Sequence, residues 1–176
     1  MRNFIFLLIL ISNLFAVEKT EVFKLYKEHK YLETCNKGMW IFNENKNDPV
    51  FKSIIAISCV NAGMINTAIR VAKFMNDTPL DRHNASYVAS LFLAKKLLLQ
   101  FLYDKINLSN ISLPKSSHPL SIILEHIASN NYTLKNDKYI INYNDKEYIL
   151  SKTTPHRFII KIYNKNHILL SKRLYW

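Results

Sequence analysis

The chain has 176 residues, a formal net charge of +11, two cysteines and only two glycines, Gly38 and Gly63. So few glycines exclude a phosphate-cradling loop and a nucleophile elbow, because both need several residues with backbone freedom. The length suits one domain with a small appendage, and the basic balance favours anionic partners as well as plain solubility.

Met1, Arg2 and Asn3 precede an unbroken apolar run from Phe4 to Ile11, and Ser12 to Ala16 follow before the charged Glu18 and Lys19. This is the layout of a signal peptide, with an apolar core well short of the roughly 20 residues that cross a bilayer. The expected cut follows Ala16, although Leu14 is bulky for its place in the cleavage site. The mature chain is expected to be periplasmic or secreted, with no integral span, since Tyr87 to Leu102 is interrupted by Lys95, Lys96 and Gln100.

From Glu18 to about Ile106 the apolar residues recur at helical spacing. A first helix carries Val22, Leu25 and Tyr26 and ends near His29. The second carries Leu32, Cys35, Met39, Trp40 and Ile41 and runs into a polar break at Asn43 to Asp48. Pro49 opens the third, with Phe51, Ile54, Ile55 and Cys59, ending in a turn at Asn61 to Gly63. Ile65, Ala68, Ile69, Ala72 and Phe74 make the fourth, which stops at Asn76. Thr78, Pro79 and Asp81 supply a cap, a first-turn proline and a capping-box acid for a helix over 79–104. That helix is apolar around most of its circumference and is expected to be the most buried one. Ser117, His118 and Pro119 start a sixth, with Leu120, Ile123, Leu124 and Ile127 as its inner stripe.

After Asn130 the period drops to two. Four strands are expected: Lys138 to Tyr143, Glu147 to Lys152, Arg157 to Tyr163 and His167 to Tyr175. Turns at Asn144 to Lys146 and Asn164 to Asn166 read as two hairpins of an antiparallel meander. The expected fold is therefore α+β, with a signal peptide over 1–16, a helical domain over 17–130 and a β-sheet appendage over 131–176.

Leu25 to Cys35 reads Leu-Tyr-Lys-Glu-His-Lys-Tyr-Leu-Glu-Thr-Cys. Cys59 to Pro79 places Gly63 at a turn, Ala68 in mid-helix and Pro79 at the close. Both segments resemble the turn and second helix of a tetratricopeptide-type repeat, with His29 standing where that family has glycine. The resemblance implies paired helices that bind a protein partner, and two copies need a further hairpin to complete the core. Asn84 to Tyr87 (Asn-Ala-Ser-Tyr) and Leu113 to Lys115 (Leu-Pro-Lys) also resemble stretches of short exported proteins of epsilonproteobacteria. A link to flagellar motility is what that likeness implies.

Candidate chemistry is sparse. No two of the six histidines stand at i, i+4, so no helix aims two imidazoles at one metal, and neither a metal nor a cofactor is expected. Paired carboxylates for polymer hydrolysis give no signal beyond the scattered acids such as Asp104 and Glu125. The tripeptides at Asn84, Asn107, Asn110 and Asn131 are not expected to carry glycans. Residues 135 to 176 hold nine Lys or Arg against three Asp or Glu. Alternation there groups Arg157, Lys161, Tyr163, Arg173 and Tyr175 on one face, a possible surface for an anionic partner; export argues against nucleic acid.

The cysteines lie early in the second helix and late in the third, heights that coincide when the two pack antiparallel. In an oxidising compartment Cys35 and Cys59 are expected to form a disulfide. Taken together these readings favour an exported protein-interaction module, an adaptor or structural accessory of an envelope assembly, and no enzyme. The alternatives are an enzyme acting on envelope polymers and a binder of anionic surfaces.

Overall fold

The structure, a computed structural model, describes residues 17–153 and 155–176. The proposed signal peptide lies outside them. Among the described residues there are seven helices followed by a five-stranded antiparallel sheet, so the class is α+β. The chain divides into two compact units at Asn84/Ala85, inside a helix, whereas the change from helix to strand comes near residue 130.

The first unit contains α1 (Lys19–Lys27), α2 (Tyr31–Trp40), α3 (Phe42–Asn45), α4 (Pro49–Asn61), α5 (Ile65–Ala72) and the start of α6 (Pro79–Asp104). Each of α1, α2, α4 and α5 packs on its neighbour in this list. Their core is Val22, Leu25, Cys35, Phe51, Ile55, Ala56, Cys59, Val60, Ala68 and Val71. Gly38 lets α2 approach α4 closely, because a Cβ there would overlap the buried Ile55 side chain. Asp48 caps α4, its Oδ1 accepting from the Val50 and Phe51 amides at 2.9 and 3.1 Å. Pro49 occupies the first turn, where its missing N–H leaves nothing unsatisfied.

The short α3 overlaps the stretch expected to be a polar break, Asn43 to Asp48. Phe42 supplies the reason: it is 5% exposed and its ring meets Phe74 at 5.7 Å, so packing draws one helical turn out of Asn-rich sequence.

The turns after α1 and α4 share one geometry. His29 and Gly63 both have left-handed backbones, φ 58° and 79°. In the first turn the His29 amide donates to Tyr26 O and the Lys30 amide to Leu25 O; in the second, Gly63 donates to Val60 O and Met64 to Cys59 O. Each donor and each acceptor of one turn stands 34 residues from its counterpart in the other. This double bond pattern satisfies the last carbonyls of a helix and requires a left-handed residue, which glycine adopts without steric cost and histidine does not.

The second unit carries the rest of α6, α7 (Pro119–Ala128) and strands β1 (Thr133–Lys135), β2 (Lys138–Tyr143), β3 (Lys146–Lys152), β4 (Phe158–Asn164) and β5 (Leu169–Tyr175), paired in sequence order. The unexpected fifth strand is β1. It hairpins onto β2 through Asn136 and Asp137, φ 49° and 57°, and β2 turns into β3 through Asn144 and Asp145, φ 48° and 56°. Two successive left-handed residues match the right-handed twist of the flanking strands, and Asn and Asp tolerate that conformation best after glycine.

One sheet face is buried, by Ile141, Tyr148, Leu150, Phe158, Ile160 and Tyr175, and on the helices Leu91, Leu98, Leu102, Leu120, Ile123 and Ile127 are buried in turn. The Phe101 ring meets Tyr139 at 4.9 Å, and the Tyr103 hydroxyl donates to Arg157 O at 2.6 Å. The most buried helix is α4 rather than α6, a correction to the sequence reading. Eight of its thirteen residues are buried, being flanked by α2 and α5. By contrast α6 leaves Leu80 and Leu93 60% and 46% exposed. It is also the one described helix long and apolar enough to cross a membrane, with a third of its most apolar window buried.

Candidate functional site

The cysteines are placed as the sequence suggested. Cys35 on α2 and Cys59 on α4 are joined as a disulfide, fully buried, with Cα atoms 4.9 Å apart. The bond locks the central helix pair of the first unit, in keeping with an oxidising, exported environment.

Close to the start of α6 lies a charged cluster that the sequence reading missed. Lys52, on the buried side of α4, is 1% exposed, and Asp81, in the first turn of α6, is fully buried. The Lys52 Nζ pairs with Asp81 at 3.4 Å, donates to Phe74 O at 2.9 Å and is ion-paired with Asp77. Ser53 Oγ donates to Asp81 Oδ1 at 3.3 Å and accepts from Asn84 Nδ2 at 3.2 Å. Burial alone would lower the Lys52 ammonium, but the Asp77 and Asp81 carboxylates outweigh it and hold it above its ordinary value. Thr78 caps α6 as expected, its hydroxyl accepting from the Asp81 amide at 3.0 Å. A signal for the cluster existed: Lys52 and Ser53 interrupt an apolar run on a helix apolar on nearly every side. The cluster ties α4 to the first turn of α6 through Lys52, Ser53 and Asp81.

The five residues proposed for an anionic surface are not on one face. Antiparallel pairing sets Phe158 opposite Tyr175, Ile160 opposite Arg173 and Lys161 opposite Lys172. Odd-numbered β4 residues therefore share a face with even-numbered β5 residues. Lys161 and Tyr163 point away from the helices, with Lys172 and Leu174. Arg173 and Tyr175 point toward the helices: the Tyr175 ring stacks on Phe158 at 5.2 Å, and Arg173 Nη1 lies 3.4 Å from His118 Nε2. Burial holds the Tyr175 phenol above its ordinary value. Arg157 is an exposed residue just before β4 whose main chain is tied to Tyr103. Alternation within each strand was read correctly, and the relation between strands was not, because the parity of the partner sum is set by the loop between them.

Within the second unit a cavity of about 280 Å³ is lined by Ser90, Leu91, Ser109, Leu113, Ser121 and Leu124, with the Lys115–Glu125 ion pair also in its wall. Asp104 lines a different groove with Tyr103, His156 and Trp176. The two acids named for the enzyme alternative thus line separate openings. Among the described residues no group of three or more His, Cys, Asp or Glu side chains is gathered as a metal would require.

Lys95, on α6, is 1% exposed, donates to the Trp176 main-chain oxygen at 2.6 Å and lies 5.1 Å from the Phe92 ring centre. Burial, with Lys96 beside it, pushes its ammonium down to about 8. The unfolded chain holds this proton up to its ordinary value of 10.5, so between those limits the unfolded state binds more protons and stability rises with pH. Unfolding free energy is expected to increase by about 2 kcal/mol from pH 7.5 to 10. Above that range Tyr148 and Tyr175, whose phenols are held high by burial, reverse the trend. Urea titrations across this range check the rise, which Lys95→Met should abolish.

Comparison with protein families, curated proteins and solved structures gives no match to this chain.

Proposed function

We propose that the chain is an exported protein-interaction module, an adaptor or structural accessory of an envelope assembly, whose helical first unit meets a protein partner. The observation that carries this reading is the turn geometry repeated at an interval of 34 residues, from His29 to Gly63. That interval is the period of tetratricopeptide repeats, in which stacked helix pairs present a surface to peptides or partner helices. The surface has a candidate anchor. Trp40 is 73% exposed at the end of α2, and Leu32 on the same helix is 56% exposed. A large aromatic left in water beside rigid helices is the side chain from which interfaces draw most energy. The disulfide supports the role by holding α2 and α4 in one arrangement, which lowers the ordering cost on binding.

The test is site-specific photo-crosslinking in the source cell, with the probe at Trp40 and, as a control, at the exposed Lys105. A single discrete adduct from position 40, absent from position 105, is the expected result. No adduct from position 40 in any growth condition would contradict the reading.

A further inference from the structure

The outward face of the sheet has a composition that a partner-free surface does not need. The pairing register places Lys135, Lys138, Ile140, Ile149, Ile159, Lys161, Tyr163, Leu169, Lys172 and Leu174 on it, and among its described residues none is buried. Four lysines face one acid, Glu147. Lys161 and Lys172 stand directly opposite each other across β4 and β5, an arrangement of like charges that costs stability, and among the described residues neither is ion-paired. On the flanking rows Ile159 faces Leu174 and Tyr163 faces Leu169. The outer edge is apolar too: Ile168, Leu169, Leu170 and Leu174 are 58, 48, 52 and 40% exposed.

We propose that this face is a docking surface for an anionic lipid bilayer. Lysines interleaved with aliphatic side chains suit a membrane interface, where the ammonium groups take lipid phosphates and the apolar side chains reach the boundary of the acyl region. The unneutralised Lys161–Lys172 pair is explained by a headgroup phosphate between the two. A second copy of the chain is the poorer occupant, since pairing β5 with β5 about its middle would set Lys172 of one copy directly against Lys172 of the other, with both Arg173 side chains one position away. This surface belongs to the second unit and does not depend on the partner of the first.

The test is co-sedimentation of the full chain with vesicles of equimolar phosphatidylglycerol and phosphatidylcholine and with vesicles of phosphatidylcholine alone. Any contribution of the apolar N-terminus is present with both, so the increment on adding anionic lipid is the quantity read. Binding to the anionic vesicles should be tighter and should weaken as salt rises. Lys161→Gln combined with Lys172→Gln should weaken it about 30-fold. Leu169→Ser combined with Leu174→Ser should weaken binding while leaving its salt dependence, and circular dichroism should report an unchanged fold for both variants. Equal binding to the two vesicle types, or an unchanged increment in the lysine variant, would overturn the proposal. So would a concentration-dependent dimer abolished by the leucine variant in the absence of any vesicle binding.

Discussion

Lys52→Met is expected to destabilise the first unit by about 3–5 kcal/mol, a large effect for a single substitution. The reason lies in what is left behind. Asp81 is fully buried, and without Lys52 its carboxylate keeps the Ser53 hydroxyl as a side-chain partner but has no counter-charge. Asp77 is not stranded in the same way, since its side chain is 57% exposed and water can replace the lysine. Removing one member of a buried pair costs more than the pair contributes, because the remaining carboxylate has lost its water and gained nothing in return. Lys52→Met combined with Asp81→Leu should accordingly recover most of the loss. Equilibrium urea unfolding of the two single variants and the double variant, read as a cycle, checks this. A strictly additive double variant would mean that the two charges do not interact.

Reduction of the Cys35–Cys59 bond is expected to cost about 3 kcal/mol, the value for freeing a loop of this size in the unfolded chain. The two cysteines are 24 residues apart and the bond is fully buried. For a domain whose whole stability is of the order of 5–15 kcal/mol this is a large share. The loss should appear as a lower denaturation midpoint in the presence of reductant, and partner binding should weaken with it. Reduction is the cleaner route, because alanine at either position would add a cavity to the core. An unchanged midpoint would mean that the bond does not constrain the unfolded chain.

Helix starts were the most legible feature of the sequence. Pro49, Thr78 with Pro79, and His118 with Pro119 mark caps whose chemistry acts within three residues, and each opens a helix where expected. At Pro119 the capping atom is the His118 Nδ1, which accepts from the Leu120 amide at 3.2 Å. What escaped depends on residues distant in sequence. The Asn136–Asp137 pair carried the same turn signal as Asn144–Asp145, but a three-residue strand offers too little alternation to be noticed. The turn after α1 looked defective because His29 stands where glycine was expected, yet its backbone adopts the left-handed conformation and closes with the same two hydrogen bonds as the turn at Gly63.

The candidate site was legible in part for the same reason. The disulfide follows from two helical positions and a compartment, all local readings. The charged face required the pairing of β4 with β5, where a register irregularity beside Ile162 and Tyr163 shifts the partners near the turn. Strand-by-strand alternation cannot supply that relation. Lys52 and Asp81 likewise meet only because α4 and the first turn of α6 are brought together by folding.

The proposed export underlies both the reading of the disulfide and the proposed partner in the cell envelope. Mass spectrometry of peptides from the unreduced protein, recovered from the periplasmic fraction of its own cells, tests it most directly. The account predicts a mature N-terminus at Val17 and a single linked species joining the Cys35 and Cys59 peptides. A cytoplasmic protein retaining Met1 and carrying two free thiols would contradict it.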